Sequence, residues 1–140
     1  MNSRAVRDDL GDIGPAVAWA GEFVDRAGLS ADVRFAVDLS LEEALANLIM
    51  HGQARGGDKA IVVSIASDAS GITMTISDRC APFDVTQHRA IEDQAGLAPG
   101  GRGLRLLHAF VAELDYAAGH NGNLLTLRFP AEKAMARAPG

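Results

Sequence analysis

The sequence predicts an α+β fold of two layers, with helices on one face of a mixed, mostly antiparallel sheet. Two helix-period segments come first, and the segments with β-branched or alternating patterns then arrive as adjacent pairs joined by short turn-rich links. The order reads helix, helix, strand, strand, irregular segment, helix, strand, strand. Partial segregation of this kind suits a helical layer on a sheet better than a doubly wound fold.

Residues 1–10 are charged and weakly patterned, with room for a short edge strand at Arg4–Val6. From Asp12, the residues Ile13, Val17, Ala20, Val24 and Ala27 recur at helical spacing, with Trp19 and Phe23 alongside and Gly28 as the stop. Trp19 and Phe23 read as core, although this helix has enough apolar surface to serve a dimer interface. Ser30 caps a second helix from Ala31 to Met50, and Gly52 ends it. On this helix Val37, Leu41, Ala44, Leu45 and Leu48 form one apolar face, and Phe35, Leu39, Ala46 and Ile49 form another beside it. A helix so nearly apolar all round is expected to be buried. A narrow polar stripe nevertheless runs down it: Ser40, Glu43, Asn47 and His51. A buried carboxylate and carboxamide one turn apart need satisfaction, either from a hydrated Mg2+ ion or from neighbouring loops. The stripe alone leaves both open.

The stretch His51-Gly-Gln-Ala-Arg-Gly-Gly-Asp58 is turn-rich, and Ala60–Ala66 reads as a strand. A tight connection at Ser67-Asp-Ala-Ser-Gly71 leads to Ile72–Ser77, where alternation puts Ile72, Met74 and Ile76 on one face. The pattern then breaks into Asp78-Arg-Cys-Ala-Pro-Phe-Asp84, and the irregular stretch up to Gly103 has the character of a lid or mobile loop. Leu104, Leu107, His108 and Val111 predict a third helix beginning at the glycines. Leu114–Ala117 and Asn123–Phe129 predict two strands joined across Gly119-His-Asn-Gly122, and the last ten residues are expected to fray.

At 140 residues the chain suits a single domain, residues 1–140 with a core of about 10–130, long enough to bury a sizeable interior. With 48% hydrophobic residues, 22% charged residues and a net charge of −5, it has an ordinary globular balance and lacks the basic patch of a nucleic-acid binder. The single cysteine, Cys80, excludes an intrachain disulfide. The N-terminus lacks the apolar core of a signal peptide, and no apolar run approaches the ~20 residues of a membrane span, so the expectation is a cytoplasmic protein that engages no membrane.

Two further stretches suggest chemistry. Gly100, Gly101 and Gly103 would bring backbone amides close to a ligand at a helix N-terminus, the makings of a phosphate cradle, with Arg102 adding charge; a flexible connector has the same composition. Asp78, just past an apolar strand, suits acceptance of a hydrogen bond from an exocyclic amine over an apolar floor such as Ile76, or a simple turn. Pro82 and Phe83 restrict and cover the same loop. His88, His108 and His120 have no metal-ligand spacing, and Cys80 has no histidine placed to make it a nucleophile.

Taken together, Glu43-Ala-Leu-Ala-Asn47 with His51, Asp78-Arg-Cys-Ala-Pro-Phe-Asp84 and Gly100-Gly-Arg-Gly-Leu104 resemble the three nucleotide-binding boxes of the GHKL ATPase superfamily, in its order and approximate spacing. The nearest likeness is to the anti-sigma-factor serine kinases of the RsbW type. The resemblance implies a Bergerat-type ATP-binding fold with ATP and Mg2+ as ligands. It implies Glu43 as general base toward the attacking hydroxyl, Asn47 as the Mg2+ ligand, Asp78 as the adenine-amine acceptor, and Gly101 and Gly103 as phosphate-loop glycines flanking Arg102 and followed by Leu104. It also implies a hydroxyl near adenine from Thr126. Cys80 stands where the second box commonly has glycine, which predicts a tighter or differently bent loop.

The implied activity is phosphorylation of a serine or threonine on a STAS-type anti-sigma-factor antagonist, with capture and release of a sigma factor by partner switching; relatives of this type are often homodimers. A nucleotide-dependent binding module that transfers nothing is the alternative. The catalytic domain of a sensor histidine kinase would need a preceding segment with a phosphoacceptor histidine, and the first histidine here is His51, inside the first box. A small-molecule kinase would need a second, substrate-shaped pocket.

Overall fold

The computed structural model describes residues 2–82 and 113–131. Within them the elements are β1 (Asn2–Val6), a 3-10 turn (Leu10–Asp12), α1 (Ile13–Arg26), α2 (Ala31–His51), β2 (Ile61–Asp68), β3 (Gly71–Asp78), β4 (Glu113–Gly119) and β5 (Gly122–Pro130). The predicted helices and strands on these residues are all present, with ends shifted by at most two residues. The predicted third helix from Leu104, the irregular segment from Phe83 and the last nine residues lie outside the described residues.

The strands form one five-stranded sheet in the order β1-β2-β3-β5-β4, and each of the four ladders is antiparallel. The chain leaves β3 at Asp78, re-enters at the outer edge as β4 and turns back as β5 to lie against β3. That return sets Asp78 opposite Asn123 across the ladder.

Strict alternation decides which face is covered. Ile61, Val63 and Ile65 of β2, Ile72, Met74 and Ile76 of β3, and Leu125, Leu127 and Phe129 of β5 all point to one side and are buried there. Ala16, Ala20 and Val24 of α1 and Val33, Ala36, Val37, Leu41, Ala44 and Leu45 of α2 meet them in a single apolar cluster. Trp19 and Phe23 pack half-buried at its margin, short of the burial a core reading expects. The other side of the sheet carries the intervening residues, including Ser64, Thr75 and Thr126.

Local chemistry sets the helix ends. α1 stops where Gly28 takes a left-handed backbone (φ 77°), a conformation glycine adopts without a Cβ penalty. Ser30 then caps α2, its hydroxyl accepting from the Val33 amide at 3.2 Å, an interaction worth about 1 kcal/mol. Asp12 ties β1 to the start of α1: Arg4 donates to both of its oxygens (3.2 and 3.3 Å) and the Arg7 amide to one of them at 2.9 Å. The Arg4 hydrogen bond above all, then the Arg7 amide, holds the Asp12 carboxyl below the usual carboxylate range.

One expectation is corrected. α2 is not buried all round: among the described residues α1, the 3-10 turn and the sheet pack on it and leave part of its surface uncovered. On its first apolar face Val37, Leu41, Ala44 and Leu45 are buried and Leu48 is half-buried, whereas on the second Phe35 is 55% exposed and Leu39, Ala46 and Ile49 are half-buried.

Candidate functional site

The C-terminal half of α2 lies over the ends of β3, β5 and β4, and between them is a cavity of about 260 Å³. Ala44, Leu48, Ile76, Tyr116 and Leu125 make its apolar walls, while Asn47, His51, Asp78 and Asn123 bring the polar groups. An apolar cleft with a few directed polar atoms is the usual form of a small-molecule site.

The inner end is built on Asp78, which is 7% exposed. Its Oδ1 accepts from the Cys80 amide at 2.8 Å and from Asn123 Nδ2 at 2.9 Å, and the same Nδ2 donates to the Cys80 carbonyl at 2.8 Å. Gly122 makes this proximity possible: its backbone (φ 131°) suits glycine, and a Cβ there would collide with the Asp78 carbonyl. The turn is stitched to the α2–β2 loop by hydrogen bonds from Ala81 N to Gln53 O (2.8 Å), Arg55 N to Arg79 O (3.0 Å) and Arg79 N to Lys59 O (2.7 Å).

Cys80 turns inward at 1% exposure, and the departure from glycine is accommodated on the other side: a Cβ on Gly52 would lie 2.9 Å from the Cys80 sulfur. Burial first, and the Asp78 charge second, pushes the Cys80 thiol up to about 11, in keeping with a packed side chain.

α2 carries the polar stripe from the core to solvent. Ser40 is fully buried with no partner for its hydroxyl, Glu43 and Asn47 are half-buried, and His51 is exposed at the cavity mouth. Burial, reinforced by neighbouring Glu42, raises the Glu43 carboxyl above the usual glutamate range. The last turn of α2 is held by Lys59, whose buried ammonium donates to the Leu48 and Ile49 carbonyls (each 3.0 Å) and to Asp8 at 2.8 Å.

The cavity therefore unites Asn47, His51, Asp78 and Pro82 from the predicted set. Glu43 stands one turn before Asn47 on the same helical face but outside the cavity wall. Thr126 is not brought in: it alternates with the buried Leu125 and Leu127 and so points to the opposite face of the sheet, opposite Thr75 and Asp115. Phe83, Gly101, Arg102, Gly103 and Leu104 lie outside the described residues. Sequence reasoning missed Asn123. The available signal was a polar residue in phase with Leu125, Leu127 and Phe129, on the buried face of a strand.

Among the described residues no three histidine, cysteine or acidic side chains gather into a protein-only metal cage. The arrangement suits Mg2+, which keeps waters and takes only one or two protein ligands beside phosphates. Asn47, which lines the cavity, would face it through its side-chain oxygen, with Glu43 one turn away on the same helix.

Residues 6–129 match the family described as histidine kinase-like ATPase domain. The chain is 32% identical over 118 residues to the serine/threonine-protein kinase BtrW of Bordetella bronchiseptica, an alignment covering 80% of this chain and 81% of that relative. Among solved structures, the Erythrobacter litoralis EL346 blue-light activated histidine kinase matches with a TM-score of 0.56 at 16% identity, a likeness of fold that covers 74% of this chain and 32% of that one. The family match spans both helices and the strands β3, β4 and β5 that enclose the cavity, and the chain belongs to the histidine kinase-like ATPase domain family.

Proposed function

We propose that the chain binds Mg-ATP in this cavity and transfers the γ-phosphate to a serine or threonine of a STAS-type anti-sigma-factor antagonist, acting in the cytoplasm as an anti-sigma factor in a partner-switching system. The observation that carries the reading is the convergence of Asn47 and the buried Asp78 on one apolar cavity. The name of the relative BtrW, a serine/threonine-protein kinase, supports it.

In this reading Asp78 accepts from the adenine amine while Ile76 and Leu125 hold the ring, and Asn47 offers its carbonyl oxygen at the triphosphate end. Mg2+, when bound, supplies charge neutralisation across the phosphate oxygens. Phosphoryl transfer asks mainly for positioning and electrostatics, so one metal ligand, one base and surrounding amides suffice. Glu43, with its raised carboxyl, is suited to take the proton of the attacking hydroxyl.

The test is transfer of label from γ-labelled ATP to purified STAS-type antagonists encoded in the same genome. Glu43→Ala is expected to abolish labelling while leaving Mg-ATP affinity within about threefold, as for a residue acting only in the transition state. Loss of both would sink this division of roles. A second reading, a nucleotide-dependent binding module that transfers nothing, is favoured by the position of Glu43 outside the cavity wall. Wild-type chain that binds Mg-ATP and an antagonist but labels none would decide for it.

A further inference from the structure

We infer that Asn123 is a positioning residue for base recognition, fixing the Asp78 carboxylate so that one oxygen serves the protein and the other serves the ligand. The inference rests on the nucleotide reading above and assigns a residue to it that the three sequence boxes do not contain.

The chemistry of the amide carries the argument. Asn123 Nδ2 lies within hydrogen-bond distance of the Asp78 carboxylate and the Cys80 carbonyl, at 2.9 and 2.8 Å. A carboxylate and a carbonyl both accept, so the nitrogen sits there and not the amide oxygen. Its two hydrogens are thus committed to the Asp78–Cys80 turn. The remaining oxygen, Oδ1, is buried with no partner. An asparagine present only to fill space would be better replaced by an apolar side chain like its neighbours in phase, Leu125 and Leu127, since an orphaned buried carbonyl is unfavourable. What the orphan permits is a pair of directed donors at one point of the cavity wall.

Asp78 Oδ1 receives one of those donors together with the Cys80 amide. Two hydrogen bonds from separate elements, one from the turn that follows β3 and one from β5, restrain rotation of the carboxylate. Oδ2 is held by neither of these two bonds and is the oxygen that an exocyclic amine would meet. The ladder register Asp78 to Asn123, enforced by the close approach at Gly122, keeps the pair together.

The experiment compares ATP with inosine triphosphate, whose base carries an oxygen in place of the amine, by calorimetric titration in Mg2+ on wild type, Asn123→Ala and Asn123→Ser. Wild type is expected to prefer ATP. Asn123→Ala should lose about tenfold in ATP affinity, as for a lost hydrogen bond to a charged group, with inosine triphosphate affinity within about twofold, so that discrimination collapses. The single donor of serine should restore part of it. Unchanged discrimination in both variants, or equal weakening toward both nucleotides, overturns the inference. Where the alanine variant does not fold, discrimination below wild type in the serine variant supports the inference and unchanged discrimination overturns it. Absence of ATP binding by wild type removes the nucleotide reading and this inference with it, an outcome distinct from wild-type binding with unchanged discrimination.

Discussion

Asp78 and Glu43 are both carboxylates read from sequence, yet they sit in opposite surroundings. Asp78 is buried and hydrogen-bonded at the inner wall, whereas Glu43 is half-buried and its carboxyl is raised by desolvation. The raised value has a sign that can be checked. Folded protein holds the Glu43 proton more tightly than the unfolded chain does, so this residue's contribution favours folding at low pH and declines as pH rises from the ordinary glutamate value through the raised one. Urea unfolding across that interval should show a decline that Glu43→Gln removes; an unchanged profile in the variant would contradict it. Residue types with directional chemistry in a recognisable box, such as Asn47 and Asp78, were legible in sequence. Asn123 and Thr126 were not, because their roles turn on the phase of one strand. The alternation that takes Thr126 away from the cavity is the one that brings Asn123 in.

At the scale of the element, α2 organises the site through its C-terminal turn. Helix ends leave carbonyls without intrahelical donors, and here Lys59 supplies a charged one to Ile49 and a second one to Leu48, beside the Gly52 amide, while pairing with Asp8. Lys59→Met should therefore lower stability by about 2 kcal/mol, measured by denaturant unfolding, because it strands the Ile49 carbonyl and the Asp8 carboxylate, while the Leu48 carbonyl keeps the Gly52 amide at 3.0 Å. It should also weaken Mg-ATP binding, since Asn47 and His51 flank the two tethered carbonyls; the same loss of stability with unchanged affinity would show the tether to be structural alone. The helices and strands were legible because periodicity and capping are local. The exposure of Phe35 was not, because the apolar pattern of a helix says which residues prefer burial and not whether a neighbour exists to cover each face.

Across the whole molecule, hydrophobic alternation and tight turns predicted the two-layer α+β fold, and the structure has it. The adjacency of β3 and β5 is a different matter: it joins residues 45 apart in the pair Asp78 and Asn123, and no local pattern encodes such a pairing. The site depends on that long-range ladder, with one wall from α2 and the other from strands contributed by the two halves of the chain. Gly101–Leu104, expected from sequence to form a phosphate loop, lie outside the described residues. The central claim is that this cavity takes Mg-ATP, and the most direct test is calorimetric titration of ATP with and without Mg2+ on wild type and on Asn47→Ala. The account predicts binding that strengthens with Mg2+ in wild type and loses about tenfold or more of that affinity in the variant. ATP binding that is absent, or indifferent to both Mg2+ and Asn47, would contradict it.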